Sequence, residues 1–279
     1  MKIWISVDME GVSGIVDRSQ LMPGARLYEE SRRYMVREMR TATAAAWEAG
    51  ATSVTINDSH DGMLNLGWDQ MEGLDPRTEL ISGSGKRWSM LQGIEGQDLG
   101  MFVGYHAMAG TGGAIMDHTY SGDIYRLRLN GREVGETGLN AYVAGHFSVP
   151  VVLVAGDQAL EKEARTLLPD ATLVVTKSAQ GRQSARLVSP QEVDSRLMNG
   201  VSEACRRWRA GQAGKPLTLD GPYTVEVGLM TTHAADLACL LPDAVRVDGR
   251  TVSVTRDRIV DAFLAFRAIT RLVGGVPLY

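Results

Sequence analysis

Short apolar runs alternate with polar segments through the first part of the chain. Residues 3–7 form an apolar run that predicts a buried strand, and residues 28–49 carry apolar side chains at helical spacing up to Gly50. Residues 53–56 and 101–105 are two further apolar runs of strand length. Strand, helix and strand in this order predict a parallel α/β unit with a right-handed crossover.

The rest of the chain continues the alternation of strand and helix signals. Strands are predicted over residues 124–129, 150–154, 172–175 and 223–227. Helices are predicted over residues 136–142 and 159–168, after Ser189 and Pro190, and over residues 257–272. Asn130 followed by Gly131 predicts a hairpin turn. We therefore expect an α/β fold, a mostly parallel sheet with flanking helices, followed by a smaller α/β C-terminal part.

The division into domains is open at the level of sequence. A prior of roughly 150 residues per domain allows one large domain or two modest ones in a chain of 279 residues. One interpretation has a metal-binding α/β domain at residues 1–190 and a smaller α/β part at residues 191–279. The other is a single domain, because the only linker signal, at residues 211–216, is weak.

Composition and charge narrow the functional classes. The net charge of −4 and the lack of a large basic block argue against a nucleic-acid partner. The N-terminus lacks the long apolar stretch of a signal peptide, and the longest apolar run, residues 149–155, is far too short to span a bilayer. Cys205 and Cys239 form no CxxC pair, which fits a reducing compartment. We expect a cytoplasmic protein without a membrane partner.

Polar residues of one chemical type follow three of the predicted strands. Asp8 and Glu10 follow the first strand, Asp58 and His60 the second, and His106 the third. Ligands of open parallel sheets bind at the carboxyl ends of the strands, so these side chains are expected to converge. Carboxylates and imidazoles together bind zinc, manganese or iron, and a bridging carboxylate lets such a set hold two ions.

Each of these side chains also has an ordinary structural explanation. Asp8 could cap a helix or a turn, His60 could be a turn residue, and a lone His106 is more often a hydrogen-bonded core histidine than a ligand. The conjunction, with His118 close by in the sequence, favours a metal site. Spacing alone leaves both interpretations open.

Four ordered motifs add a resemblance to a known family. They are an SxDxEG run at residues 6–11, Asn-Asp-Ser-His at 57–60, Gly-Tyr-His-Ala at 104–107 and Val-Gly-Glu-Thr-Gly-Leu-Asn-Ala at 134–141. Together they resemble the D-aminopeptidase family of metallopeptidases over nearly the whole chain. The resemblance implies an enzyme with two co-catalytic zinc ions. Its reaction would be hydrolysis of the N-terminal peptide bond of short peptides that begin with a D-amino acid.

The resemblance also implies a role for individual residues. The implied zinc ligands are Asp8, Glu10, His60, His106 and Glu136. Asp8 would bridge the two ions, and His118 would be the catalytic residue, as nucleophile, proton carrier or oxyanion stabiliser. Glu133 is not the motif glutamate, and His146 and His233 match no motif and are expected to be structural.

Assembly and alternative functions complete the expectations. The family resemblance implies a ring-like homodecamer that encloses its active sites and admits only short peptides. A phosphoesterase with the same ligands would need basic side chains for the phosphate, and only Arg126, Arg128 and Arg132 are near the motifs. A general L-aminopeptidase on the same scaffold is a further alternative. A peptide-binding protein without activity is disfavoured by the complete ligand set.

Overall fold

The computed structural model describes residues 1–275 and contains two β-sheets. The larger sheet has seven strands, in the spatial order Thr78–Ile81 (β3), Ser53–Asp58 (β2), Lys2–Val7 (β1), Leu99–Tyr105 (β4), Val151–Asp157 (β7), Thr172–Gly181 (β8) and Ser184–Leu187 (β9). All neighbouring strands in it are parallel except the antiparallel pair β8 and β9 at one edge. The expectation of a mostly parallel sheet is confirmed.

The smaller sheet is antiparallel and has five strands. Their spatial order is Val245–Arg246 (β11), Thr251–Arg256 (β12), Tyr223–Leu229 (β10), Ile124–Leu129 (β5) and Arg132–Glu133 (β6). The turn between β5 and β6 is the predicted hairpin, in which Asn130 and Gly131 both have positive φ. This sheet joins strands from both sides of residue 190. The division into residues 1–190 and 191–279 stays a prediction.

The described helices pack against the two sheets, and the last two of them given below pack against the smaller one. They are Tyr28–Glu48 (α1), Glu136–His146 (α2), Gln158–Leu167 (α3), Pro190–Arg209 (α4), Thr232–Ala238 (α5) and Ile259–Val273 (α6). The five longest of them match the predicted helices within a few residues. The seven-residue α5 and the short strands β3, β9 and β11 were not predicted, because such short elements carry little hydrophobic periodicity. The strand β12 was also missed, although Val252 and Val254 alternate with polar residues in it.

Alternate side chains of β1 enter two different cores. Ile3 and Ile5 pack in the core that contains α1 and α4. Trp4 lies in the other core, with Phe102 of β4, helices α2, α3 and α6, and the smaller sheet. Burial on both faces explains the nearly continuous apolar runs of these strands. Within residues 1–275, no helix combines the length and the apolar character needed to cross a membrane.

The order of the parallel strands reverses between β1 and β4. The chain progresses from β1 through β2 to β3 on one side, and then returns to place β4, β7 and β8 on the other side of β1. In open α/β sheets, ligands bind in the crevice outside the carboxyl ends of the strands where this reversal occurs. The topology therefore directs attention to the residues that follow β1 and β4.

Candidate metal centre

All six predicted site residues meet beside this reversal point. Asp8 and Glu10 follow β1, His60 follows β2, His106 follows β4, His118 lies in the loop before β5, and Glu136 is the first residue of α2. Five of the six line one cavity of about 430 Å³. The sixth, His106, contacts Asp8 and Glu136, which line this cavity. The convergence expected from the strand ends is present, with two further residues supplied by a loop and a helix start.

Close backbone packing holds β1 and β4 together here. The Asp8 amide donates to the Val103 carbonyl at 2.9 Å, and the Gly11 amide donates to the Gly104 carbonyl at 2.8 Å. A Cβ atom on Gly11 would lie 1.8 Å from the Tyr105 carbonyl oxygen, and Gly104 has a φ of +72°. Only glycine fits these two positions, which explains the glycines of the SxDxEG and Gly-Tyr-His-Ala motifs.

Asp8, Glu10 and His60 form the first group of possible ligands. The Nδ1 atom of His60 lies 3.0 Å from Oε2 of Glu10 and 3.4 Å from Oδ1 of Asp8. The three ligand atoms lie within 4.8 Å of one another, close enough to hold one ion.

His106, His118 and Glu136 form the second group. The Nε2 atom of His106 lies 3.2 Å from Oε1 of Glu136 and 3.6 Å from Oδ2 of Asp8. The His118 ring stacks on His106 at 3.9 Å between centroids, and its Nε2 lies 3.6 Å from Oε1 of Glu10. Asp8 thus directs one carboxylate oxygen toward each group. His118 lies farther from its nearest carboxylate than the 3.0 and 3.2 Å of His60 and His106, and its side chain is the most exposed of the six, at 23%.

Backbone carbonyls orient all three imidazoles. His60 Nε2 lies 3.0 Å from the Leu21 carbonyl, His106 Nδ1 lies 3.0 Å from the Ala107 carbonyl, and His118 Nδ1 lies 2.9 Å from the Met116 carbonyl. A carbonyl only accepts, so each of these ring nitrogens carries the proton. The opposite nitrogen faces the carboxylate cluster, where its lone pair would coordinate a bound metal ion, as in other metal-binding histidines.

The charges of the cluster fit a bound cation. Burial and the Glu10 and Glu136 carboxylates raise the pKa of Asp8 to about 7. Oδ2 of Asp8 and Nε2 of His106 are buried and lack a hydrogen-bond partner within the described residues. Three carboxylates and three imidazoles are a nitrogen and oxygen donor set that suits zinc. The residues present therefore fit a zinc site. A cation between them would be coordinated by the two unpartnered atoms.

His118 has different electrostatics from the other two histidines. Burial, followed by the neighbouring His106 imidazole, lowers the pKa of His118 below its usual value. Burial also disfavours the charged forms of His60 and His106, but the adjacent carboxylates outweigh it and raise both pKa values. His118 is therefore neutral near pH 7 and has a free lone pair at Nε2.

Lys177 supports the loop after β1 from behind and was missed in the sequence. It is fully buried on β8, and its ammonium donates to the carbonyls of Glu10, Val12 and Ile15, at 2.8 Å for Val12. Burial lowers the pKa of Lys177 to about 8. The only signal in the sequence is a lysine that continues an otherwise apolar strand. Because the three carbonyls belong to the Asp8–Ile15 turn, the ammonium fixes the backbone that presents Glu10.

Tyr120 was also missed and holds the Glu136 side. Its amide donates to Oε1 of Glu136 at 2.7 Å, and its hydroxyl donates to Oδ1 of Asn140 at 2.8 Å. Both partners belong to the first turns of α2. Tyr120 therefore ties the loop that carries His118 to the helix that carries Glu136.

The residues set aside in the sequence lie away from the cavity. Glu133 is exposed and pairs with Arg128, and His146 and His233 are exposed. None of the three arginines near the motifs lines the cavity. Its basic lining residues are Arg18, Arg182, Arg267 and Arg271 instead. Arg182, Arg267 and Arg271 lie far from the motifs in the sequence, which is why motif proximity did not reveal them; Arg18, seven residues after the first motif, was overlooked.

Comparisons with known proteins agree with this geometry. A family model described as D-aminopeptidase matches residues 1–268. A D-aminopeptidase of Bacillus subtilis (strain 168) is 36% identical over 274 residues, which cover 98% of this chain and 97% of that protein. The solved structure of the Zn-dependent D-aminopeptidase DppA from Bacillus subtilis, described as a self-compartmentalizing protease, matches with a TM-score of 0.93 and 34% identity. The match covers 99% of each chain.

The role of Lys177 leads to a stability prediction. Lys177→Met should lower the free energy of unfolding by about 3 kcal/mol or more, because three buried carbonyls lose their donor at about 1–3 kcal/mol each. Urea titration of both metal-free proteins, at the same protein concentration, measures this difference in the free energy of unfolding. Lys162→Met, at an exposed position on α3, is the control and should stay within about 0.5 kcal/mol of the parent protein. Equal unfolding midpoints for both variants would contradict the support role of Lys177.

Proposed function

Because this chain belongs to the D-aminopeptidase family of metallo-aminopeptidases, we propose that it is a zinc-dependent hydrolase of short peptides whose first residue is a D-amino acid. The bond cleaved is the N-terminal peptide bond. The observation that carries the proposal is the convergence of two groups of ligand atoms on the shared carboxylate of Asp8, beside a cavity that can hold a short peptide.

The proposed centre holds two zinc ions per chain. Its ligands are Asp8, Glu10, His60, His106 and Glu136. Asp8 bridges the ions, a role supported by its two oxygens, which face His60 and His106 respectively. A zinc pair supplies a strongly acidified water and a Lewis acid for the scissile carbonyl.

The proposed role of His118 is to carry a proton at Nε2. Its Nδ1 proton is held by the Met116 carbonyl, and its lowered pKa leaves Nε2 able to accept a proton near pH 7. His118 lines the cavity, and its side chain is 23% exposed there. This is where the leaving amine needs a proton. Nucleophilic attack by the same atom, or stabilisation of the oxyanion by the protonated ring, would use the same position.

Two other activities on the same scaffold have less support. A phosphoesterase could use the arginines of the cavity, but the relatives of this chain are named as D-aminopeptidases. A general L-aminopeptidase would need the same metal centre and differ only in the shape of the pocket around the first residue. Substrate comparison separates all three.

The proposed substrate preference predicts the outcome of a paired assay. The zinc-loaded enzyme should cleave D-Ala-D-Ala and D-Ala-Gly-Gly much faster than the peptides that begin with L-Ala, and should not hydrolyse p-nitrophenyl phosphate. Chromatographic detection of released alanine follows both peptide series. Equal rates on the two series would point to a general aminopeptidase, and turnover of the phosphate ester alone to a phosphoesterase.

The ligand assignment predicts metal content. The parent protein should hold about two zinc ions per chain, as other two-metal hydrolases do. Asp8→Ala should lose most of both, because a bridging carboxylate serves both ions. Elemental analysis of dialysed protein measures the ratio. Glu133→Ala, at the exposed glutamate that is not a ligand, is the control and should keep both ions. Full zinc occupancy in Asp8→Ala would show that the assignment is wrong.

The proposed role of His118 predicts a loss of rate without a loss of zinc. His118→Ala should lower kcat by about 10²- to 10⁴-fold, the usual loss for one proton-transfer or oxyanion partner. Zinc content and kcat are measured on one preparation, with His146→Ala, at an exposed position, as control. Loss of zinc would make His118 a ligand of the second group. Retention of both properties would remove it from the site.

Assembly into a homodecamer is part of the proposal. The Bacillus subtilis relative is described as a self-compartmentalizing protease, which fits an assembly that encloses its sites. This chain exposes Trp68 to 91% and Leu64 to 70%. Large exposed apolar side chains often mark contact surfaces between chains.

The proposed assembly predicts the mass in solution. Light scattering coupled to size exclusion should give ten times the chain mass of 30.3 kDa. A Trp68→Ser variant should shift the protein toward smaller species if Trp68 lies in a contact between copies. A stable species of 30.3 kDa in the parent protein would rule the ring out.

A further inference from the structure

A second cavity of about 250 Å³ adjoins the metal centre cavity and has a basic lining. The two cavities share Met63, Ser89, Arg267 and Arg271, and the second adds Lys86 and Arg87. Its described lining contains four basic side chains and no acidic one. The two cavities together form one space with opposite charges at its two ends. Carboxylates lie at the metal centre, and basic side chains lie at the other end.

Among the basic side chains of the two cavities that have no hydrogen bond or ion pair within residues 1–275, Arg267 is the one that is half-buried, whereas Arg18, Arg87 and Arg271 are exposed. Its guanidinium lies over the Tyr120 ring, 5.2 Å from the centroid, and makes no hydrogen bond or ion pair with any residue between 1 and 275. Burial lowers its pKa, which reflects the cost of removing a charged group from water without a counter-ion. Lys86 is different, because its ammonium already donates to Asn57, Asp58 and Ile81.

The other cations of the combined space are less suited to hold an anion. Arg87 is exposed and lies over Trp88, and Arg182 is paired with Asp117 at 2.7 Å. Arg271 is exposed but lies one helical turn from Arg267, so both guanidinium groups reach the same cavity. A half-buried arginine with free donors in a cavity is suited to bind a carboxylate through two parallel hydrogen bonds.

We propose that Arg267, assisted by Arg271, binds the C-terminal carboxylate of the substrate and so restricts the enzyme to short peptides with a free C-terminus. This inference rests on the proposed function. Tyr120 contacts both Arg267 and Glu136, which sets the spacing between the anion-binding end and the metal centre. A peptide of two or three residues spans at most about 7–11 Å, and the proposal places its N-terminal end at the metal centre and its carboxylate at Arg267. The site then measures peptide length as well as charge.

The test compares D-Ala-Gly-Gly with its C-terminal amide on the zinc-loaded enzyme. We expect kcat/KM to be about 10- to 100-fold higher for the acid, mainly through KM, because a charge-assisted bidentate contact is lost in the amide. Arg267→Met keeps the aliphatic contact with Tyr120 and should lower kcat/KM for the acid by that factor. In this variant the preference for the acid over the amide should fall toward one, since the contact that distinguishes the two peptides is lost.

Two further variants separate charge from packing. Arg267→Lys keeps the charge and should retain part of the preference for the acid, whereas Arg165→Met, at an exposed arginine paired with Glu161, should keep all of it. Equal rates of the parent enzyme on acid and amide would overturn the inference and leave the aminopeptidase function intact. A preference that survives in Arg267→Met would overturn it as well, and its loss in Arg271→Met alone would assign the contact to Arg271.

A binding measurement keeps the inference independent of turnover. In the ligand, a methylene group replaces the first carbonyl of D-Ala-Gly-Gly, so that no scissile bond remains. Calorimetry on the zinc-loaded parent should give about 10- to 100-fold tighter binding for its acid than for its amide, and equal binding in Arg267→Met. If neither peptide is cleaved, the proposed function fails, and this measurement alone decides the role of Arg267. Equal binding of the two ligands by the parent would overturn it.

Discussion

Repulsion among three carboxylates buried side by side is the constraint on which this structure depends. Asp8, Glu10 and Glu136 are each nearly excluded from water, and burial of like charges at such distances is strongly unfavourable without a compensating cation. The histidines between them offset part of this cost. A bound metal ion would offset the part of this free-energy cost that the histidines leave. The same repulsion therefore favours metal binding and destabilises the site when it is empty.

The surrounding fold resists that repulsion through the backbone. The glycines at positions 11 and 104 let β1 and β4 approach closely enough for direct hydrogen bonds beside the carboxylates. The Lys177 ammonium donates to three carbonyls of the loop that follows β1. The Tyr120 amide donates to the Glu136 carboxylate. These contacts come from four separate parts of the chain. Their common effect is to fix the carboxylate oxygens before any metal arrives, which reduces the reorganisation needed on binding.

Local sequence carried the information for the strands and for the residues at their ends. The parallel α/β fold followed from apolar runs such as residues 3–7, and the side chains after β1, β2 and β4 were expected to converge because parallel strands end at one edge. Lys177, Tyr120 and Arg267 could not be found in this way. Each acts through a contact with a distant segment, and a single lysine, tyrosine or arginine carries no periodic or motif signal. The two-residue strand β11 was missed for a related reason, since its pairing with β12 and not its own residues defines it.

The pairing of β5 with β10 connects the active site to the order in which the chain is made. Asp8, Glu10, His60 and His106 leave the ribosome early, within the first four strands of the sheet. His118 and Glu136 flank the hairpin of β5 and β6, and that hairpin finds its central partner only when β10 has been synthesised. Domains generally fold as units during translation. A chain that ends before β10 would therefore contain all six site residues but lack the central strand with which the hairpin between His118 and Glu136 pairs.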